Sequence, residues 1–546
     1  MKEEYCMKIL GLGGSGHDYC ACIVSDGYIE IAVEEERFSR ERHSMGARSH
    51  GMLSLQRLLK QTGTKLNDYD ILAANSLLHP NFIKHHLGTR VHLVNHHMAH
   101  AASVYYTSGY DESAIFIADG SGSDNETISF MYAKKNEIRC LEKYFGYINP
   151  NPYEDFTRDH SYGEFYAFFS LVCGFTRYQA GKTMGLAPFG KPTYLDLFRR
   201  LFYVNKQNVF VTNYLDSHLQ KLLRIINEET DNKAIQEMRQ DIAFAAQVTL
   251  EECVIKQLNY LYEITKSSYL CMAGGTALNS TLNGKILHQT PFSYLYIVPA
   301  ANDTGTAIGA ALSAYYASDQ LKQIPRKLLT PYLGFSYLQS EIENVLEKHK
   351  DKIIYTKCDR KQLIEYASKD IAQGKIIGWY QGKSEIGPRA LGNRSILAHP
   401  GKPEIKDYIN NYVKYREDFR PFAPAVLEEK ANEYFEMKGL TESPYMLFVV
   451  KVKQEKRDEI PAVTHVDGTA RLQTVSFENN PLFYDLIKGF YDSTGLPMIL
   501  NTSFNTKGEP IVETPKDAME TFLKCSIETL YLDQYKIEKV SKQYEM

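Results

Sequence analysis

The chain has 546 residues, of which 23% are charged, and its formal net charge is −4. This length is enough for more than one hydrophobic core, so we expect two domains. The charge balance gives no polybasic region, and nucleic acid is therefore not expected as a partner. The sequence shows no signal peptide, no apolar run that could span a membrane and no metal-finger spacing among its nine cysteines. These features predict a cytoplasmic globular protein with reduced thiols, and no internal sequence repeat is evident.

A glycine-rich turn follows the first predicted strand, Lys8 to Leu12. His17 comes directly after the small residues of this turn. An imidazole at such a place can accept a proton near neutral pH, so His17 is the candidate general base, although most glycine turns are purely structural. The next segment, residues 34–43, is dense in Glu and Arg. It predicts either a solvated face or an anion site.

Two histidines lie four residues apart after a short strand that we expect to be buried, Val91 to Asn95. His96 and His100 would project from one face of the helix that follows and could bind one metal ion. The chain has 16 histidines, so this spacing also arises by chance. Histidines of the core or the surface are therefore the alternative interpretation.

Three later strands each end in small or polar residues. The strand-end residues of interest are Asp119, Ser121, Gly122, Gly274, Gly275, Asn279 and Asp303. A carboxylate before a Gly/Ser turn is typical of sites that hold nucleotide phosphates on backbone N–H groups. Two adjacent glycines let a ligand ring lie on bare backbone, and a nearby amide can hydrogen-bond it. Asp303 is either a helix N-cap or a third metal ligand beside the two histidines.

The clearest amphipathic helix is predicted over residues 241–262, with its apolar face in the core. A linker is predicted at about residues 324–334, where proline and glycine interrupt the pattern. Beyond it, Ser340 and Glu343 have the spacing of a capping box and predict the start of a new helix.

The second half of the chain places cationic and polar side chains beside glycine or proline turns. These residues are Arg389, Arg394, Lys414, Arg471, Asn501 and Ser503. Guanidinium groups held by such turns are suited to bidentate capture of phosphate or carboxylate oxygens. The segment from Phe419 to Pro424 is predicted to be a structural turn.

Together these motifs resemble the NodU/CmcH family of O-carbamoyltransferases. The resemblance rests on Asn95-His96-His97-x-x-His100-Ala101, Gly181 to Gly190, Gly274 to Asn279, Asn302 to Gly305 and the cationic turns of the second half. It implies an α/β and α+β protein with two domains. Residues 1–338 would form a bilobal actin/hexokinase-like metallo-ATPase domain, similar to the enzyme that completes threonylcarbamoylation of tRNA. Residues 339–546 would form a YrdC-like α/β domain.

The resemblance also implies that the two domains catalyse different steps of the reaction. The C-terminal domain would make carbamoyl adenylate from carbamoyl phosphate and ATP with Mg²⁺. There Lys414, Arg389, Arg394 and Arg471 would stabilise charge on the phosphates, while Asn501 and Ser503 would position the adenylate.

In the N-terminal domain, Asp119, Ser121, Gly122, Gly274, Gly275 and Asn279 would hold the nucleotide. His96, His100 and Asp303 would bind Fe²⁺, with Zn²⁺ or Mn²⁺ as alternatives. The carbamoyl group would pass to a hydroxyl of a small molecule such as a natural product or a saccharide. A homodimer is compatible with the resemblance.

Two other functions stay open at this point. One is a tRNA threonylcarbamoylation-type enzyme, which the acidic balance disfavours. The other is a nucleotide-binding scaffold without turnover, which should have lost some of the charged motif residues, yet all are present. The chain lacks the acylphosphatase module and C-x-x-C fingers of the related hydrogenase-maturation enzyme, which disfavours a protein cysteine as acceptor.

Overall fold

A computed structural model describes residues 6–44, 52–149, 157–318 and 325–540. The chain divides into two compact units. The first unit comprises residues 1–15, 24–28 and 66–328, and the second comprises residues 16–23, 29–65 and 329–546. Part of the early chain thus clusters with the C-terminal residues, whereas the predicted N-terminal domain, 1–338, includes it. In the described ranges, no helix combines the length and apolarity needed to cross a membrane.

The chain up to residue 318 contains short strands and helices in alternation. The strands are β1 (Lys8–Gly13), β2 (Cys20–Ser25), β3 (Tyr28–Glu34), β4 (Ile71–Asn75), β5 (His92–Val94), β6 (Glu112–Ala118), β7 (Glu126–Lys134), β8 (Glu137–Phe145), β9 (Ile148–Asn149), β10 (Thr157–Arg158), β11 (Tyr203–Val204), β12 (Phe210–Val211), β13 (Tyr269–Ala273) and β14 (Tyr294–Ile297). The helices are α1 (Glu35–Ser39), α2 (Leu53–Thr62), α3 (Pro80–Leu87), α4 (His96–Tyr105), α5 (Tyr162–Val172), α6 (Ala180–Leu186), α7 (Leu195–Leu201), α8 (Ser217–Glu228), α9 (Asn232–Thr265), α10 (Ser280–Gln289) and α11 (Gly305–Tyr316).

Two five-stranded sheets built from these strands have the same topology. Their strand orders are β3-β2-β1-β4-β5 and β8-β7-β6-β13-β14. In each sheet three consecutive strands are neighbours, and the fourth strand then pairs in parallel with the first, as β4 does with β1 and β13 with β6. A duplicated sheet of this order is the pattern of the actin/hexokinase-like fold. The predicted mixed α/β fold class is confirmed, and its duplication is one of topology rather than of sequence.

Helix α4 begins where the sequence predicts, because the side chain of Asn95 accepts a hydrogen bond from Met98 N (3.2 Å). Its many small residues let α11 approach closely. A Cβ atom added to Gly309 of α11 would lie 1.7 Å from Ala99 O of α4. Strand β5, which precedes α4, was expected to be buried, but it lies at a sheet edge and Leu93 is 56% exposed.

The chain beyond residue 325 contains one large mixed sheet and the helices packed on it. The strands are β15 (Ile353–Lys357), β16 (Ile377–Tyr380), β17 (Arg394–Ala398), β18 (Ala423–Leu427), β19 (Phe448–Lys451), β20 (Thr469–Val475), β21 (Met498–Ser503), β22 (Thr529–Leu532) and β23 (Tyr535–Lys539). The helices are α12 (Gln339–Lys348), α13 (Arg360–Gln373), α14 (Glu404–Tyr408), α15 (Ala431–Tyr434), α16 (Pro481–Thr494) and α17 (Pro515–Lys524), with a π-helix at Ile409–Val413. The sheet order is β15-β23-β22-β16-β17-β21-β18-β20-β19.

Both faces of this nine-stranded sheet are covered. Along β16 and β17 successive side chains alternate between two hydrophobic clusters, with Tyr380 and Ile396 in one and Trp379 and Leu397 in the other. This alternation is the period of two of an extended strand, and it explains why large apolar side chains stand at successive positions of both strands.

The two helix predictions have different outcomes. Helix α9 contains the predicted amphipathic segment, and Ile242, Leu250 and Val254 of its apolar face are buried. The capping box predicted at Ser340 and Glu343 is wrong. Helix α12 begins earlier, and its cap is a hydrogen bond from Leu338 N to Glu341 Oε2 (2.7 Å).

Replacing Gly309 by Ala should destabilise the first unit, because the added methyl group would overlap the backbone of α4. We expect a loss of at least about 1–3 kcal/mol in the free energy of unfolding, measured by denaturant titration. Gly181→Ala is the matched control, since its added Cβ would meet nothing within 4 Å. Equal stability of the two variants would show that α4 and α11 are not in such close contact.

Candidate metal and anion sites

Two imidazoles and two carboxylates meet in the first unit. His96 and His100 come from α4, Asp119 follows β6, and Asp303 precedes α11. One ligand atom from each residue lies within 4.8 Å of all the others. The Oδ2 atom of Asp119 is 3.0 Å from His96 Nε2 and 3.4 Å from His100 Nε2. The Oδ1 atom of Asp303 is 3.4 Å from His100 Nε2. We call these four residues the metal-ligand group.

The electrostatics of this group fit a divalent cation. Burial lowers the pKa of His100, but its interactions with Asp119 and Asp303 outweigh burial and raise the pKa to about 9. Burial raises the pKa of Asp119, but His100 and His96 hold it well below its usual range. Neither ring nitrogen of the buried His100 makes a hydrogen bond of good geometry. A metal ion among the four side chains would satisfy His100, and two imidazoles with two carboxylates suit Fe²⁺, Mn²⁺ or Zn²⁺.

The side chain of Asn75 holds the ring of His96 from behind. Its Nδ2 donates to Gly14 O (2.7 Å) and lies 2.9 Å from His96 Nδ1. Gly14 N in turn donates to Thr306 Oγ1 (3.0 Å), near the start of α11. These contacts fix the position of the ring of His96, the first histidine of the group.

Asp119 was predicted to hold a nucleotide, and the structure places it among the candidate metal ligands. Its second oxygen, Oδ1, accepts a hydrogen bond from Gly275 N (3.0 Å), so the predicted glycine cradle adjoins the metal-ligand group. Gly274 has a φ of +90°, and a Cβ there would lie 2.4 Å from Ala118 O. This close approach requires glycine whether or not a ligand binds.

The other predicted nucleotide residues of the first unit have partners within the protein. The Oδ1 atom of Asn279 accepts from Leu282 N (3.0 Å), and its Nδ2 donates to Gln247 Oε1 (2.9 Å). Gly122 N donates to Glu126 O (2.7 Å) in the turn between β6 and β7, which also contains Ser121. Their predicted contacts with nucleotide stay predictions.

Five cationic side chains cluster in the second unit, and we call them the cation group. They are Arg389, Lys414, Arg416, Arg420 and Arg471. Burial and the charge of Arg420 lower the pKa of Arg389 to about 10. The pKa of Arg471 is lowered well below its usual range by burial and by Arg389, Arg416 and Arg420. Among the described residues, the one carboxylate within 4 Å of the group is Glu417, which is 3.9 Å from Arg420.

Sequence reasoning identified three members of the cation group and missed two. Arg416 and Arg420 were visible as cations beside turns, but the segment from Phe419 to Pro424 was interpreted as a structural turn. It does contain a turn, and it also brings Arg420 to the cluster. Lys414 lies just after the π-helix, where its Nζ donates to Ser503 O (2.7 Å) and Ser503 Oγ (3.1 Å).

Two of the residues predicted to contact ligand in the second unit, Arg394 and Asn501, are buried. The guanidinium of Arg394 is fully buried against the ring of Tyr380 and donates to backbone oxygens that include Gln381 O (2.7 Å). This geometry gives Arg394 a structural role and does not support a contact with ligand. Asn501 is also buried, and its Nδ2 donates to Gln473 Oε1 (2.8 Å).

His17 lies in the second unit beside a buried carboxylate. Its Nδ1 is 3.2 Å from Asp18 Oδ2, and His43 Nδ1 is 3.0 Å from Asp18 Oδ1. Burial would raise the pKa of Asp18, but His17 and His43 hold it well below its usual range. An imidazole whose Nδ1 faces a carboxylate is held in one orientation, as a general base must be.

Family comparison gives the class of protein. The profile described as carbamoyltransferase N-terminus matches residues 54–312, and the profile described as carbamoyltransferase C-terminus matches residues 368–539. The nodulation protein NolNO of Sinorhizobium fredii is 38% identical over 96% of this chain and 79% of its own length. The chain therefore belongs to the carbamoyltransferase family and is a carbamoyltransferase enzyme, as the motif resemblance predicts.

Other relatives cover most of the chain as well. The nodulation protein NolO of Bradyrhizobium diazoefficiens is 39% identical over 82% of this chain and 79% of its own length. Among solved structures, full-length HypF in its phosphate- and nucleotide-bound form is 14% identical and aligns with a TM-score of 0.43, covering 58% of this chain and 56% of that chain.

Replacing Asp119 by Asn should weaken metal binding, because it removes one of the two negative charges that face the histidines. We expect the affinity for Fe²⁺, Mn²⁺ or Zn²⁺ to fall at least about 10-fold, measured by elemental analysis after equilibrium dialysis. Asp111→Asn, an exposed residue just before β6, is the matched control. Equal metal content in both variants would remove Asp119 from the ligand set.

Proposed function

We propose that the protein is an ATP-dependent O-carbamoyltransferase that activates the carbamoyl group at the cation group and transfers it to a hydroxyl of a small molecule. The observation that carries this proposal is the gathering of five cations with a single nearby carboxylate. Such a cluster is costly in the absence of an anion, since every member disfavours the charge of the others. A ligand with several phosphate groups would balance it.

In the activation half-reaction, water cleaves carbamoyl phosphate into carbamate and phosphate. A carbamate oxygen then attacks the α-phosphorus of ATP, and pyrophosphate leaves as carbamoyl adenylate forms. Arg389, Arg471 and Lys414 are proposed to bind the phosphate oxygens and to stabilise the charge that moves onto pyrophosphate. The guanidinium groups of Arg389 and Arg471 suit this role because neither has a hydrogen-bond or ion-pair partner among the described residues.

Lys414 has a different environment from the two arginines. Its buried Nζ already contacts Ser503 and both oxygens of Asn505, and its pKa is lowered well below the usual range by burial and by neighbouring arginines. We propose that these acceptors hold the ammonium group in place for one phosphate oxygen. Ser503 and Asn505 would then act mainly as positioning residues.

In the transfer half-reaction, the acceptor hydroxyl attacks the carbamoyl carbon and AMP leaves. His17, oriented by Asp18, is proposed to accept the hydroxyl proton at its Nε2 atom. His96, His100, Asp119 and Asp303 would hold a divalent metal ion. When bound there, the metal supplies Lewis-acid chemistry for a carbonyl or phosphoryl oxygen.

The proposed acceptor is a small hydroxylated molecule, with a saccharide or natural product as the class. Membership of an enzyme family argues against the scaffold alternative. For the threonylcarbamoylation alternative, the net charge of −4 provides no attraction to tRNA.

Pyrophosphate release from ATP tests the activation step. We expect release that depends on carbamoyl phosphate in the wild type and a fall of at least about 100-fold in Arg389→Ala, the loss typical of removing a charged group that stabilises the transition state. His100→Ala should retain release, because the proposed activation site does not include the metal-ligand group.

Arg360→Ala is the matched control, since Arg360 is an exposed arginine of the second unit that pairs with Asp485 (2.6 Å). Its release should equal that of the wild type. Release by the wild type that does not respond to carbamoyl phosphate would contradict the carbamoyl-adenylate mechanism.

A further inference from the structure

The turn from Arg40 to Ser44 has an unusual backbone. Arg40, His43 and Ser44 have φ values of +60°, +61° and +47°, a region that residues with side chains rarely adopt. Strain of this kind persists where surrounding contacts hold it, and it is concentrated at functional positions. Arg42 lies in the middle of this turn, within the charge-dense segment for which the sequence left open an anion site.

Two residues that precede the turn in the sequence, Glu36 and Asp18, make the contacts that hold it. Glu36 Oε2 accepts from His43 N (2.9 Å), and Asp18 N donates to His43 O (2.7 Å). The carboxylate of Asp18 also binds the ring of His43 (3.0 Å). The side chain of Arg42 takes no part in these contacts. It is exposed and has no hydrogen bond or ion pair with any residue in the described ranges.

The preceding arginines show where the turn lies within the second unit. Arg37 Nη2 donates to Gly387 O (2.6 Å), two residues before Arg389 in the chain. Arg40 Nη1 donates to Ile511 O (2.7 Å), just beyond the loop of Asn505 that contacts Lys414. The segment therefore contacts two stretches of chain that contain or adjoin residues of the cation group and its partners. Consistent with this placement, the charge of Arg42 contributes to lowering the pKa values of Arg389, Lys414 and Arg420, after burial and other groups.

We propose that Arg42 is a further anion-binding residue of the activation site and that it contacts a phosphate group of carbamoyl phosphate or of ATP. A further cation held near Arg389, Lys414 and Arg420, with no ion pair among the described residues, is explained by an anion that they share. Its planar donors can bind two phosphate oxygens at once. This inference rests on the proposed function. It adds to the activation site a residue that lies far from the cation group in the sequence.

The test compares Arg42→Ala, Arg42→Lys and Arg57→Ala, the last an exposed arginine of α2 in the same unit. The KM values for ATP and for carbamoyl phosphate are measured separately in the pyrophosphate-release assay. Loss of a charge-assisted hydrogen bond should raise one of them about 10- to 100-fold in Arg42→Ala. Arg42→Lys should recover part of the loss, and Arg57→Ala should match the wild type. The substrate whose KM rises is the one that Arg42 contacts.

Calorimetric binding of inorganic pyrophosphate, with no turnover, separates this inference from the proposed function. We expect Arg42→Ala to bind pyrophosphate about 10-fold or more weakly than the wild type while its thermal unfolding is unchanged, because the side chain is exposed. Unchanged KM values and unchanged pyrophosphate affinity would overturn the assignment of Arg42. Arg42-dependent binding in a wild type that releases no pyrophosphate from ATP would instead retain Arg42 as an anion ligand and reject the adenylate mechanism.

Discussion

The close contact of α4 and α11 is the constraint on which the metal-ligand group depends. Because Gly309 has no side chain, the two helices meet backbone to backbone, and the start of α4 faces the residues that precede α11. His96 and His100 are thereby brought to Asp303, and the end of β6 adds Asp119. The two buried carboxylates favour positive charge between them, and a metal ion could supply that charge in place of the proton on His100.

The cation group of the second unit differs from the metal-ligand group in its electrostatics. There like charges are brought together, and the acceptors near them are Glu417 and the backbone and amide oxygens around Lys414 and Arg416. The π-helix before Lys414 and the left-handed backbone around Arg42 are unfavourable backbone conformations. The surrounding contacts stabilise them.

Local patterns predicted much of the fold and part of the sites. The start of α4, the core face of α9 and the strand-end positions of Asp119 and Asp303 follow from capping, periodicity and turn chemistry. The start of α12 was misplaced because a cap depends on which backbone N–H is actually left unpaired. The place of Asp119 among the candidate metal ligands was missed because a carboxylate before a Gly/Ser turn has the same local sequence in a nucleotide site.

The sequence by itself determined the family, the mixed α/β class and the side-chain chemistry of the sites, since these are properties of residue type and spacing. Only the tertiary structure decided which of those side chains share a site. It placed Arg394 in the core and Arg420 in the cation group, although both are arginines beside turns. It also revealed the duplicated sheet topology and the location of Arg42. The physical reason is that charge interactions act through space, so groups hundreds of residues apart form one site only after the chain has packed.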